Sequence, residues 1–244
     1  MLRIRLAVTA VILLALTACG ADPDPGVEVS ETPEMATPAN MASHGLLLSQ
    51  QGPVETPPAG AEPVPSEPVE GAVPVVIYLD PMCVPCAELV LETSGLLSER
   101  LNAGTITVEF HVVTLAGLDS ANEGSSTRVA NAFAAVVDED PHLAHVFLLR
   151  WFMKQHSYDD VITAEDLIEF AAEQRLDSET LIDRIERGTF ESFVGSASLW
   201  ALSNPAPGTD ANVDRIPTMI VDGDLYEHDS YDADHVAEFI DERL

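Results

Sequence analysis

The feature that most constrains this chain is the unbroken apolar run Val73-Pro74-Val75-Val76-Ile77-Tyr78-Leu79, followed after three residues by Cys83 and Cys86. A short apolar run bounded by a turn-forming stretch reads as a buried strand. A helical pattern begins at once, with Ala87, Leu89, Val90 and Leu91, then Leu96, Leu97 and Leu101. Pro85 falls in the first turn, where a missing N–H costs little. A strand that delivers Cys-x-x-Cys onto the first turn of a helix is the setting of a redox pair.

The rest of the pattern is consistent with α/β. Gly104 ends the first helix and Thr105–Thr114 alternates as a second strand, with Gly95 a point where the helix could loosen. Residues 120–204 read as wholly helical, in segments 126–137, 141–156, 163–175, 178–187 and 190–203. Asp140-Pro141 supplies an N-cap and a proline at the first helical position, and Thr163-Ala164-Glu165-Asp166 resembles a capping box. Residues 215–221 form a strand entered through Pro217, and Asp222-Gly223 is a hairpin turn signal. Leu225–Glu227 pairs back, and Ala233–Arg243 closes the chain as a helix. The order is strand, helix, strand, helical block, strand, strand, helix: two halves of an α/β fold with an all-helical insertion.

Charge narrows the partners. With 11 Lys+Arg against 41 Asp+Glu the net charge is -30, which repels phosphate backbones and excludes nucleic acid as a partner. The three cysteines leave one beyond the pair, and the N-terminus accounts for it. Arg3 and Arg5 precede the apolar stretch Leu6–Leu16, which is too short for a stable membrane span. Leu16-Thr17-Ala18-Cys19-Gly20 then resembles the lipobox of bacterial lipoproteins. That resemblance implies a signal peptide over 1–18, lipidation of Cys19, and residence on the extracytoplasmic face of the membrane, where disulfides persist.

Residues 20–72 hold ten of the 17 prolines, nine acidic residues, no Lys or Arg and no Phe, Trp or Tyr. Such a composition buries too little apolar surface to offset chain entropy. The expectation is a lipidated, disordered tether over 19–72, on the order of 40 Å end to end as a flexible coil, and a compact domain over 73–244. Within the tether only Gly45-Leu46-Leu47-Leu48-Ser49 has strand character, as a possible edge.

Three parts of the sequence together resemble the DsbA-like thiol–disulfide oxidoreductases, a thioredoxin-like fold with a helical insertion. They are Tyr78–Cys86, the helical block around Thr163–Leu167 and Ala171–Asp177, and Ile216-Pro217-Thr218 ahead of the Asp-Gly turn. The resemblance implies that Pro217 is cis and faces the cysteines, with Ile216 and Thr218 placed to pair with an extended substrate. It implies exchange with secreted or envelope proteins, a separate redox recycling partner, and no cofactor or metal.

The residues themselves suit that chemistry. Exchange needs a thiolate, and a cysteine at a helix N-terminus sees unpaired N–H groups that favour one. Cys83 is therefore expected to attack, and Cys86, one turn in, to resolve. Departures from the family leave the direction of exchange open. Ile77 stands where several relatives carry a buried acid, Val84-Pro85 contains no His, and Asp80 and Glu88 oppose a thiolate at Cys83. Arg215 is one of few cations near the site and reads as solvent-facing. Two other readings remain at this level. A zinc site would need ligands such as His142 and His145 beside the cysteines. A structural disulfide in a binding or scaffold module is the other, although a bridge over so short a loop removes little chain entropy.

Overall fold

The computed structural model describes residues 35–155, 161–227 and 230–244. The expected signal peptide over 1–18 and Cys19 lie outside the described residues. A six-stranded sheet has the order β2-β1-β4-β3-β5-β6. Its strands are β1 (Leu46–Ser49), β2 (Gly52–Pro53), β3 (Val73–Leu79), β4 (Ile106–Val112), β5 (Thr218–Val221) and β6 (Asp224–Leu225). β3 and β4 are parallel, joined by α1 (Val84–Ala103), and the other pairs are antiparallel.

The period-two pattern of the strands divides the residues between two faces. Val75, Ile77 and Leu79 share one with Leu46, Leu48, Val108 and Met219, and they join one core with residues of α1 and of the helical block. Tyr78, Val113 and Ile220 belong to a smaller cluster with Ala201, Ala206, Ala211 and Val213. The block comprises α2 (Ala116–Ala121), α3 (Ser125–Glu139), α4 (Pro141–Lys154), α5 (Ala164–Ala172), α6 (Glu179–Glu186) and α7 (Glu191–Ala201), and α8 (Ala233–Asp241) closes the chain. Two of its caps are the expected ones: Asp140 accepts from the His142 N–H, and Thr163 and Asp166 form a reciprocal capping box. The cap of α6 is Ser178, which accepts from Leu181, one residue after the Asp177 that the sequence suggests.

Several expectations change. The chain from Met35 belongs to the same compact unit as the rest, so a disordered tether running to residue 72 is corrected. Met41, Leu46, Leu47 and Leu48 are buried, and β1 pairs with β4 through Leu46↔Phe110 and Leu48↔Val108. The physical reason is local. The proline-rich composition holds on average, but the leucine run buries enough apolar area to dock on the open side of β4. β1 is not the edge, because β2 pairs outside it. The strand expected over 215–221 begins only at Thr218. Pro217 offers no N–H to a ladder, and the Thr218 hydroxyl donates back to the Arg215 carbonyl. α1 runs unbroken through Gly95 and ends at Gly104, whose left-handed backbone (φ 73°) suits glycine. The helix expected to reach His156 is described to Gln155.

Candidate functional site

β3 ends against the start of α1, and the cysteines occupy that junction. Cys83 is the N-cap of α1, with extended backbone (φ -82°, ψ 118°) and no side-chain cap. Its carbonyl accepts from the N–H groups of Cys86 (3.1 Å) and Ala87 (3.2 Å), and its own N–H donates to the Asp80 carbonyl (3.1 Å). Both thiols are free. Cys83 retains 8% exposure and Cys86 none, so only one sulfur meets a partner.

The two thiols are driven apart in acidity. Cys83 is held below the usual thiol range, first by the hydrogen bond from the Cys86 thiol and then by the Cys86 backbone N–H. Burial and the charges of Asp80 and Glu88 oppose that shift. Cys86 is pushed far above its ordinary value, chiefly by burial and also by donating to Cys83. An accessible nucleophile therefore stands over a protonated reserve, the division of labour that thiol–disulfide exchange requires.

Three elements hold this loop from outside. The Trp151 indole on α4 donates to the Pro81 carbonyl at 2.7 Å, and Gln155 donates to the Cys83 carbonyl at 3.4 Å. Asp80, fully buried, accepts from the N–H of Met82 (2.8 Å), the N–H of Leu115 (2.8 Å) and the hydroxyl of Ser126 (2.9 Å). Trp151 and Phe152 are core, whereas Met153 is 58% exposed.

The Ile216–Pro217 peptide is cis. Tyr231, just ahead of α8, donates its hydroxyl to the Pro217 carbonyl at 3.0 Å. The Tyr231 phenol is raised first by burial; Arg215 opposes the shift, and both cysteines add to it. The proline loop, Tyr231 and the two cysteines thus form one neighbourhood. Ile216 is half-buried, while Thr218 is buried with its hydroxyl engaged by Arg215 and its backbone paired with Tyr78. Thr218 fixes the loop, and Ile216 stays half-buried beside it. Arg215 is exposed and lines a polar cleft of about 280 Å³ with Asn212, Asp214 and Glu227.

Sequence reasoning found the cysteines and the proline but gave no role at the site to Tyr231, Gln155 or Ser126. These are ordinary residue types whose importance comes from where the fold puts them. Among the described residues no three His, Cys, Asp or Glu side chains are grouped to hold a metal, so His142 and His145 do not complete a site with the cysteines.

A family model described as thioredoxin matches residues 70–242. No curated protein matches the chain. Among solved structures, the reduced form of the disulfide bond oxidoreductase DsbG from Mycobacterium tuberculosis is 25% identical, with 70% of this chain and 77% of that one covered and a TM-score of 0.58. Oxidised DsbA from the same organism is 22% identical over 81% and 91% of the two chains, with a TM-score of 0.60. Oxidised BdbD from Bacillus subtilis is 20% identical over 86% and 97%, with a TM-score of 0.61.

Proposed function

Because this chain belongs to the thioredoxin family, we propose that it is a protein thiol–disulfide oxidoreductase working through Cys83 and Cys86. The single observation that carries the reading is the contrast between the two sulfurs: one accessible with a lowered thiol, one buried with a raised thiol.

The Cys83 thiolate attacks one sulfur of a partner disulfide. The S–S bond breaks, a mixed disulfide forms and the partner's other sulfur leaves as a thiolate. Cys86 then loses its proton and attacks the Cys83 sulfur. The mixed disulfide breaks, the partner leaves as a dithiol, and the Cys83–Cys86 bond carries the oxidising equivalents. Run backwards, the same steps oxidise a dithiol. Net direction follows from the potential of the pair relative to its recycling partner. Ile216 supplies backbone to an extended partner segment.

The compartment follows from the N-terminus. With Cys19 lipidated, the enzyme sits on the extracytoplasmic face of the membrane and acts on secreted or envelope proteins. Among the described residues no helix is long and apolar enough to cross a membrane.

Cys83→Ser is expected to abolish reduction of a model disulfide. Cys86→Ser is expected to accumulate mixed disulfides, seen as adducts on a non-reducing gel. Full exchange by the Cys83→Ser protein would overturn the mechanism. For the anchor, Cys19→Ser should move the protein from the membrane fraction to the soluble one.

A further inference from the structure

Ile77 leaves β3 without a carboxylate beneath the cysteines, yet a buried carboxylate is present three residues later. Asp80 is fully buried, between the end of β3 and the Cys83 N-cap. The other buried carboxylate among the described residues, Glu109, alternates onto the opposite face of β4 and pairs with His111 at 3.2 Å. Asp80 instead sits in the turn that carries the pair, where its carbonyl accepts from the Cys83 N–H at 3.1 Å.

The hydrogen bonds of Asp80 define its state. Oδ1 accepts from Met82 N–H and Oδ2 from Leu115 N–H, and neither donor can reverse its role. Ser126 adds a third bond at 2.9 Å, and a hydroxyl also stabilises the ionised form. Among the described residues no Lys or Arg is paired with it, so these three bonds alone offset its charge.

Resting on the exchange activity proposed above, we propose that Asp80, supported by Ser126, is a positioning residue that holds the charge balance of the pair, disfavouring the Cys83 thiolate and so making the Cys83–Cys86 disulfide harder to reduce. The physical basis is that a reduced pair gains stability from its thiolate, and a fixed anion nearby removes part of that gain. Other groups also face the sulfurs. Glu88 acts in the same sense on Cys83, and Tyr231 faces both sulfurs with Arg215 beside it. Asp119, on α2, faces Asp80 itself. Burial, then Asp119, pulls the Asp80 carboxyl up, against the bonds from Leu115, Met82 and Ser126.

The sign of the effect separates this from a structural role. Loosening the loop would disorder the start of α1 and weaken the bonds that favour the thiolate, so Cys83 would titrate higher. Removing the charge alone makes it titrate lower. The test uses the full chain, with Cys83 and Cys86 followed peptide by peptide by mass spectrometry so that Cys19 does not contribute. Thiolate formation is read by pH-dependent alkylation, and the redox balance by equilibration with reduced and oxidised glutathione. Asp80→Asn is expected to lower the Cys83 midpoint and to shift the equilibrium toward reduced protein by about threefold or more. Ser126→Ala, which leaves the carboxylate in place with one fewer bond to hold it ionised, should move both readouts in the same direction by less. An unchanged or raised Cys83 midpoint in Asp80→Asn would overturn the proposal. If that variant does not fold, Ser126→Ala decides by the same sign. A wild-type protein that does not equilibrate with glutathione would instead refute the exchange activity, and this proposal with it.

Discussion

Two cysteines three positions apart become different reagents because the helix turns one outward and the other under it. Nothing in Val84-Pro85 imposes this; the N-cap position and the burial of Cys86 do. The surrounding bonds give further tests. Trp151→Phe keeps the packing but strands the Pro81 carbonyl, and should lower stability by about 1–3 kcal/mol in urea unfolding. Tyr231→Phe frees the Pro217 carbonyl at a half-buried position and should cost about 1 kcal/mol by the same measurement. At this scale the sequence announces chemistry but not support. Cys83, Cys86 and Pro217 belong to short motifs readable along the chain. Ser126 meets Asp80 from 46 residues away and Trp151 meets Pro81 from 70, and local pattern carries no trace of such meetings.

Elements were legible where their signals are local. The caps at Asp140 and Thr163 place two helices, and the run Val73–Leu79 matches β3 end to end. β1 was harder, because four residues inside a proline-rich stretch acquire meaning only beside β4. Its docking brings polar groups together beneath it. The His44 ring donates to the Gly60 carbonyl at 2.9 Å, Tyr78 stacks on His111 at 4.4 Å between centroids, and Glu109 pairs with His111. His44 titrates below its ordinary value, first because of burial; the Gly60 bond opposes the shift and His111 adds to it. A histidine whose folded value is depressed adds full stability above its unfolded value, and that stability is lost as pH falls. Glu109 also titrates low: burial alone would raise it, but His111, Ser43 and Ser66 outweigh burial, so it too favours the fold at higher pH. Amide protection at Leu46–Ser49, taken relative to the intrinsic exchange rate at each pH, should therefore fall as pH drops below about 6.5, before protection in Val75–Leu79 does. A Cβ at Gly45 would lie 2.7–2.9 Å from the His111 ring, so Gly45→Ala should lower stability by about 1–3 kcal/mol in urea unfolding.

The whole molecule starts earlier than its redox motif suggests. A chain begun at Val73 would lose Met41, Leu46 and Leu48 from the core and leave β4 open along one side. Each buried side chain of that size contributes roughly 1.5–3 kcal/mol, and together they rival the total stability of a typical domain, about 5–15 kcal/mol. A fragment from Met35 should give a cooperative thermal transition by circular dichroism, and one from Val73 should aggregate or melt without one. Composition misled here because an average over residues 20–72 hides a short run that folds. The sheet that results is bordered by β2 and β6, each two residues long. Strands so short template little further pairing. In the exchange proposed above, a partner that presents extended backbone to Cys83 therefore meets almost no free strand edge with which to pair.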